Sequence, residues 1–109
     1  MHRSLSLYIQ KTKQTTMIRL NCFFQAGDGE HDYKDALRAA VSLAEKSRKH
    51  PGCIAYDVFV STSRSDVFMI CDTWKDVESH EQHAATPEYK KYCKIMNECG
   101  HFKIEQFEF

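Results

Sequence analysis

Two apolar segments on either side of a short turn constrain the fold of this chain most. They read CIAYDVFVS (residues 53–61) and DVFMICDTW (66–74), and both are rich in the β-branched and aromatic residues typical of strands. Apolar side chains occupy odd and even positions alike, so both faces of a sheet built from them would be apolar. Helices can cover only one of those faces, and a monomer rarely leaves the other in water. We therefore expect a homodimer whose two sheets pack face to face.

The remaining segments complete an α+β order of elements. The pattern predicts strands at 17–26, 53–61, 66–74 and 101–109, a helix at 31–50, and helical pieces at 76–85 and 86–99. Pro87 favours a fresh helix start, because proline at the first helical position loses no needed N–H. The order is β-α-β-β-α-β with the second helix broken at Thr86-Pro87. It predicts a ferredoxin-like fold, a four-stranded antiparallel sheet with helices on one face.

Composition excludes several classes of partner. The chain has 109 residues, enough for one small domain, and its 15 Lys and Arg balance 15 Asp and Glu. The basic residues are spread along the chain, which argues against nucleic acid and anionic membranes as partners. No apolar run approaches the roughly 20 residues of a membrane span. Residues 1–16 lack the pattern of a signal peptide, and we expect a flexible extension there before a single domain at 17–109.

The cysteines indicate a reducing compartment. There are five, an odd number, and most lie within apolar strands or helix faces. This is the pattern of small core residues in the cytoplasm rather than of a disulfide framework. No C-x-x-C spacing occurs, so a thiolate zinc site is not expected.

The segment DTWKDVESHEQHAATPEYKKY (72–92) holds the densest group of chemically reactive side chains. His80 and His83 could share a helix face, but two ligands do not make a metal site, and we expect none. A helical wheel puts Val77, His80 and Ala84 at the centre of the inward face and His83 at its margin. There His83 could reach a cavity and still titrate as an acid or base. Alternatively, both histidines are partly exposed helix residues without a function.

Other residues of the chain allow both a structural and a functional interpretation. Trp74 at a strand end is more often a core anchor than a substrate platform, and Tyr56, Tyr89 and Tyr92 can be core residues with bonded hydroxyls. Asp72 and Asn21 are polar residues in apolar strands, where an unpaired group is costly. They are expected to face a partner group, the dimer seam or a pocket.

The run from Gly52 to Tyr92 resembles the antibiotic biosynthesis monooxygenase family, whose quinol-oxidising members are dimeric α/β barrels. The resemblance is carried by Gly52-Cys53 with a tyrosine three residues on, by Asp72 two residues before Trp74, and by a helix histidine nine residues beyond. The Thr86-Pro87 restart follows in the place typical of the family. The order and lengths of the elements fit from Met17 to Phe109.

The resemblance implies a pocket between the sheet and the broken helix, and oxidation of a small aromatic quinol or polyketide-like substrate by oxygen without metal or cofactor. It assigns His83 as base or proton relay, Asn21 as an orienting group and Asp72 as an electrostatic partner. The expected substrate-binding residues are Trp74, Tyr56, His80, Tyr89, Tyr92 and Cys93.

Departures from the family pattern keep other functions open. His80 stands where relatives have an apolar residue, and Glu88 replaces a histidine often found after the proline. The haem-degrading branch depends on an Asn, a Trp and a His, and the equivalents of that Trp and His are here His83 and Cys93, which disfavours haem cleavage. The pattern of His83, Thr86, Pro87 and Tyr89 also resembles a branch that isomerises phosphorylated sugars. The alternatives are therefore an isomerase or tautomerase, or a dimer that binds a ligand without catalysis.

Overall fold

The structure is a computed structural model that describes residues 16–109. The strands are β1 (Ile18–Ala26), β2 (Cys53–Val60), β3 (Val67–Trp74) and β4 (Gly100–Glu108), and the helices are α1 (Asp32–Ser47), α2 (Val77–Ala84) and α3 (Pro87–Cys99). The predicted ferredoxin-like order is confirmed, with the second helix divided into α2 and α3. Residues 1–15 of the expected extension lie outside the described residues.

The four strands form one antiparallel sheet in the order β2-β3-β1-β4. Register places Phe24 of β1 opposite Phe68 of β3 and Phe102 of β4. The ring of Phe24 stacks on Phe68 with centroids 4.6 Å apart and meets Phe102 edge-on at 5.1 Å. These three aromatic side chains fix the alignment of the central strands, because a slip of one residue would turn them to the opposite face.

The helices cover one face of the sheet and enclose the core with it. The buried apolar residues are Ile18, Leu20, Phe24, Ala36, Ala39, Ala40, Leu43, Ala44, Tyr56, Phe68, Ile70, Trp74, Met96 and Cys99. The opposite sheet face carries Phe23, Phe59 and Phe107, which are 42%, 51% and 48% exposed. The prediction that the strands are apolar on both faces therefore holds, and the outer face is uncovered in the single chain.

A β-bulge changes the facing of the first residues of β2. Strict alternation would put Cys53 and Tyr56 on opposite faces, but the register shifts between Cys53 and Ala55. Cys53 pairs with Trp74 and Tyr56 pairs with Asp72, so both point to the helix side. The bulge thus brings a second β2 side chain to the face that α2 and α3 cover.

Two side-chain caps account for the break between α2 and α3. The Asp76 carboxylate accepts a hydrogen bond from the backbone N–H of Ser79 at 2.8 Å and begins α2. The Thr86 hydroxyl accepts from the N–H of Tyr89 at 3.3 Å and donates to the carbonyl of His83 at 2.7 Å. Thr86 therefore begins α3 and at the same time ties it to the last turn of α2.

Within residues 16–109, no helix is both long enough and apolar enough to span a membrane. All five cysteines are free thiols, in agreement with the absence of a disulfide framework predicted from their number and positions.

Candidate active site

A buried carboxyl group lies at the centre of the helix-covered face. Asp72 is 3% exposed, and its Oδ2 accepts a hydrogen bond from Nε1 of Trp74 at 2.7 Å. Removal from water raises the pKa of Asp72 to about 6, and the indole hydrogen bond opposes only part of that rise. Asp72 therefore passes from its protonated to its ionised form around pH 6, rather than near pH 4 as an exposed carboxyl group does.

His83 is enclosed by rings. It is 1% exposed, and its ring centroid lies 4.4 Å from that of Trp74, 4.8 Å from Tyr89 and 5.5 Å from Tyr56. Burial lowers the pKa of His83 to about 3, and the nearby His50 and His80 add to the effect. The imidazole is therefore neutral at physiological pH and has a lone pair available to accept a proton.

The helical wheel placed the inward face of α2 wrongly. His83 was expected at the margin and close to water, but Ser79 and His83 are the buried residues of α2, whereas Val77 is 42% exposed. The reason lies in the turn before β2. Gly52 has φ 82° and packs so closely on Ser79 that a Cβ on Gly52 would overlap the serine side chain. This contact directs the Ser79–His83 side of the helix inward.

Two residues that sequence reasoning did not assign complete the site. Nδ1 of His50 lies 2.9 Å from Nδ1 of His83, and Nε2 of His50 lies 2.9 Å from Oε2 of Glu88. The side chain of His50 is 12% exposed and that of Glu88 is 32% exposed, so the chain Glu88–His50–His83 runs from the surface into the core. The hydrogen bond from His50 lowers the pKa of the Glu88 carboxyl group.

The signal that could have revealed His50 is the strand pairing. The start of β2 pairs with the end of β3, since Cys53 lies opposite Trp74 and the N–H of Lys75 donates to the carbonyl of Gly52 at 2.9 Å. Any residue just before β2 must then lie beside the helix that follows β3. In the sequence analysis, His50 entered only as the last residue of the helix predicted at 31–50.

The other predicted site residues divide between this site and other places. Tyr89 and Cys93 hydrogen-bond to each other, and burial raises the pKa of both groups. His80 lies next to the site, its ring 5.9 Å from His83. Tyr92 instead lines a groove between α1 and α3. Asn21 pairs with Cys71 and points to the outer face of the sheet, so the structure does not bring it to His83.

A recess of about 330 Å³ opens at the edge of β2 and has a wall in common with the histidine site. It is lined by Arg48, Cys53, Ile54, Ala55, Tyr56 and Asp57. On its lining, Arg48 and Asp57 form an exposed ion pair at 3.7 Å. The ring centroid of Tyr56 also lies 5.5 Å from that of His83, and the volume of the recess is at the lower end of the range typical of small-molecule pockets.

In the part of the chain that the structure describes, no three His, Cys, Asp or Glu side chains are grouped to bind a metal ion. What the site offers is a neutral imidazole, a buried carboxyl group with a raised pKa and aromatic walls. Groups with such opposite pKa shifts at one place are typical of acid–base catalysis on an aromatic or otherwise apolar compound.

Fold and site together define a ferredoxin-like α+β domain with a buried cluster of His83, Asp72 and aromatic rings between sheet and helices. The family model for antibiotic biosynthesis monooxygenases matches residues 17–95, and the chain belongs to this family. The resemblance noted in the sequence is thereby confirmed. No curated protein matches the chain.

Solved structures share the fold over most of the chain. A conserved protein of unknown function from Bacteroides thetaiotaomicron, described as a possible oxidoreductase, is 43% identical, with a TM-score of 0.82 over 87% of this chain and 99% of that one. Protein PA3566 from Pseudomonas aeruginosa is 24% identical, with a TM-score of 0.78 over 88% and 96% of the two chains. SnoaB, a cofactor-independent oxygenase from Streptomyces nogalater, is 9% identical, with a TM-score of 0.68 over 84% and 90%. The last two likenesses show the fold alone.

Proposed function

We propose that this protein is a cofactor-independent monooxygenase that oxidises a small aromatic quinol, or a polyketide-like phenol, with molecular oxygen. The observation that carries the proposal is His83, a neutral imidazole enclosed by Trp74, Tyr56 and Tyr89. Aromatic walls suit a flat aromatic substrate, and burial among them keeps the imidazole neutral, so that its lone pair can accept a proton.

The reaction balances without a further reductant. One quinol and one O₂ give one hydroxyquinone and one water. His83 removes a hydroxyl proton, and the quinolate passes one electron to oxygen. The resulting pair of radicals joins through a new bond between oxygen and a ring carbon. His83 returns its proton to the peroxide, the ring carbon loses its hydrogen as a proton, and the O–O bond breaks to release water.

The remaining site residues support these reaction steps through their charge and shape. Asp72 and His83 both contact Trp74, one through the indole N–H and the other through the ring face. Asp72 supports the reaction in its protonated form, which can donate a hydrogen bond to the developing anion, whereas its ionised form would disfavour that anion. Tyr56 forms the wall towards the β2 recess, through which we propose that the substrate enters.

Isotope labelling tests oxygen insertion directly. With a panel of substituted hydroquinones, the protein should consume one O₂ per quinol, and ¹⁸O₂ should place one labelled atom in the product. Exposed His31→Ala is the matched control and should behave as wild type. Formation of unlabelled quinone with hydrogen peroxide would show an oxidase instead and would contradict the proposal.

A second candidate, an isomerase or tautomerase, is favoured by the opposite pKa shifts of His83 and Asp72. Such an enzyme needs one group to remove a proton and another to supply one, and it needs no oxygen. Turnover of a substrate at the same rate in anaerobic solution would select this function.

A third candidate is a dimer that binds a ligand without turnover. Burial of His83 to 1% exposure favours it.

We also propose a homodimer formed by the outer sheet faces. Phe23, Phe59 and Phe107 leave large apolar side chains exposed on that face, and a second copy of the sheet would cover them. Asn21 and Cys71 would then lie in the seam between the two sheets.

We further propose that the protein is cytoplasmic. The five free thiols support a reducing compartment.

A further inference from the structure

The arrangement of Glu88, His50 and His83 determines where the protons lie. An ionised carboxylate only accepts hydrogen bonds, so Nε2 of His50 must carry the hydrogen that bonds to Glu88 at 2.9 Å. When His50 is neutral, its Nδ1 is then a lone pair, and the 2.9 Å contact requires His83 to donate from Nδ1. His83 is left with Nε2 as its one unprotonated nitrogen. The carboxylate thereby fixes the tautomer of a histidine it does not touch.

We propose that His50 and Glu88 form a proton store for His83: a proton taken up at Nε2 of His83 drives the Nδ1 proton of His83 onto Nδ1 of His50, whose positive charge then lies against the Glu88 carboxylate. His83 remains a neutral imidazole before and after the transfer. The pair gains only the proton taken up at Nε2 of His83, and the return of a proton from Nε2 reverses each step. His50 and Glu88 act through His83 and are positioning residues. This inference rests on the proposed function, in which His83 is the base.

The physical reason is the cost of charge in the core. His83 is 1% exposed and surrounded by apolar rings, so an imidazolium there is strongly disfavoured. By itself, such a histidine is too weak a base to act near neutral pH. On His50 the same charge is 2.9 Å from a carboxylate oxygen and nearer to water. Transfer of the positive charge from His83 to His50 therefore allows the buried His83 to act as a base.

The charged and titratable groups around the pair come from every element packed against it. They are His80 from α2, Tyr56 from β2, Asp72 from β3, and Glu88 and Tyr89 from α3, with Lys46 of α1 acting on Glu88. His50 and His80 both lower the pKa of His83, whereas the Glu88 carboxylate raises it. Within this set, Glu88 is the carboxylate in hydrogen-bond contact with the pair.

Nitrogen NMR of ¹⁵N-histidine-labelled protein tests the proton positions without any substrate. At pH 7.5, His83 should carry its hydrogen on Nδ1, whereas neutral histidine in water favours Nε2. On acidification, the first positive charge should appear on His50. A spectrum in which His83 carries its hydrogen on Nε2 at neutral pH, or becomes charged before His50, would overturn the proposal.

Glu88→Gln separates the charge of the residue from its shape. The amide oxygen can still accept from His50, so the tautomer of His83 should persist while the pair takes up its proton at a pH about one unit lower or more. Exposed Glu78→Gln on α2 is the matched control and should change neither property. Glu88→Asp, which keeps the charge, provides the second variant and should restore much of the proton uptake. An unchanged titration in Glu88→Gln would overturn the store.

Kinetics add a second readout once an oxidised quinol is known. Glu88→Gln should lower kcat roughly tenfold or more with KM nearly constant. The rate should recover at high pH, because the quinol there ionises without a base. If no quinol is oxidised but the NMR behaviour is as expected, the proposed function fails and the proton store stands. If quinols are oxidised and Glu88→Gln matches wild type in rate and titration, the proton-store proposal is contradicted and the proposed function stands.

Discussion

Asp72 is a carboxyl group in an apolar layer, and its protonation links the stability of the domain to pH. Its usual pKa is near 4 in an unfolded chain and about 6 in the fold, so the folded state holds the proton more tightly. Stability from this group is therefore lowest above pH 6, where the folded carboxyl must ionise. It recovers as pH falls through 6 towards 4.

Asp72→Asn should stabilise the protein at pH 8 by about 2 kcal/mol, because a shift of two pKa units corresponds to roughly that free energy. The amide oxygen can still accept from Trp74, so the packing is kept. The gain should disappear by about pH 4. Urea unfolding at the two pH values measures it, with Asp28→Asn in the exposed turn after β1 as control. Equal stability of Asp72→Asn and wild type at pH 8 would contradict the assignment of a buried charge.

Four of the predicted residues lie together in the site, and the alternation of side chains along β1 explains why Asn21 does not lie with them. Asp72, Trp74, Tyr56 and His83 were predicted, and the structure places them together at Trp74. Asn21 failed to join them because side chains alternate along a strand. Asn21 pairs with Cys71, the residue before Asp72, so the side chains of Asn21 and Asp72 point to opposite faces of the sheet. A register between β1 and β3 was needed to see this, and the sequence pattern did not supply one.

At the scale of elements, the close contact between the β2 turn and α2 organises the site. The turn at Gly52 brings His50 to His83, and the same turn packs on Ser79 of α2. Element order and approximate bounds followed from apolar spacing and from Pro87. The bulge at Cys53 and the rotation of α2 did not, because both depend on tertiary contacts of Gly52 and Trp74.

Gly52→Ala should destabilise the domain by about 2 kcal/mol or more, because it adds a side chain at positive φ and forces it into Ser79. The variant should also disturb the His50–His83 hydrogen bond, which the histidine NMR spectrum would report. Gly27→Ala is the control. A Cβ at Gly27 first meets the movable end of the Asp32 side chain, at 2.8 Å. A Gly52→Ala protein as stable as wild type would show that the turn does not position α2.

At the scale of the whole molecule, the proposed homodimer depends on the uncovered sheet face. Phe23→Glu places a charge at the centre of that face, beside Met69 and Lys103 in the register, and should prevent the proposed dimer from forming. Light scattering at micromolar concentration measures the mass. Val41→Glu alters an exposed apolar residue on α1 instead and should leave the dimer intact. A wild-type protein that is monomeric under these conditions would contradict the sheet-to-sheet interface.

Oxygen uptake by wild type and His83→Ala on one hydroquinone tests the central claim, that a buried neutral imidazole removes the proton that starts the oxidation. We expect the variant to lose at least about a hundredfold in kcat, with part of the rate returning at high pH, where the quinol ionises without a base. Equal rates in the two proteins at neutral pH would remove His83 from the mechanism.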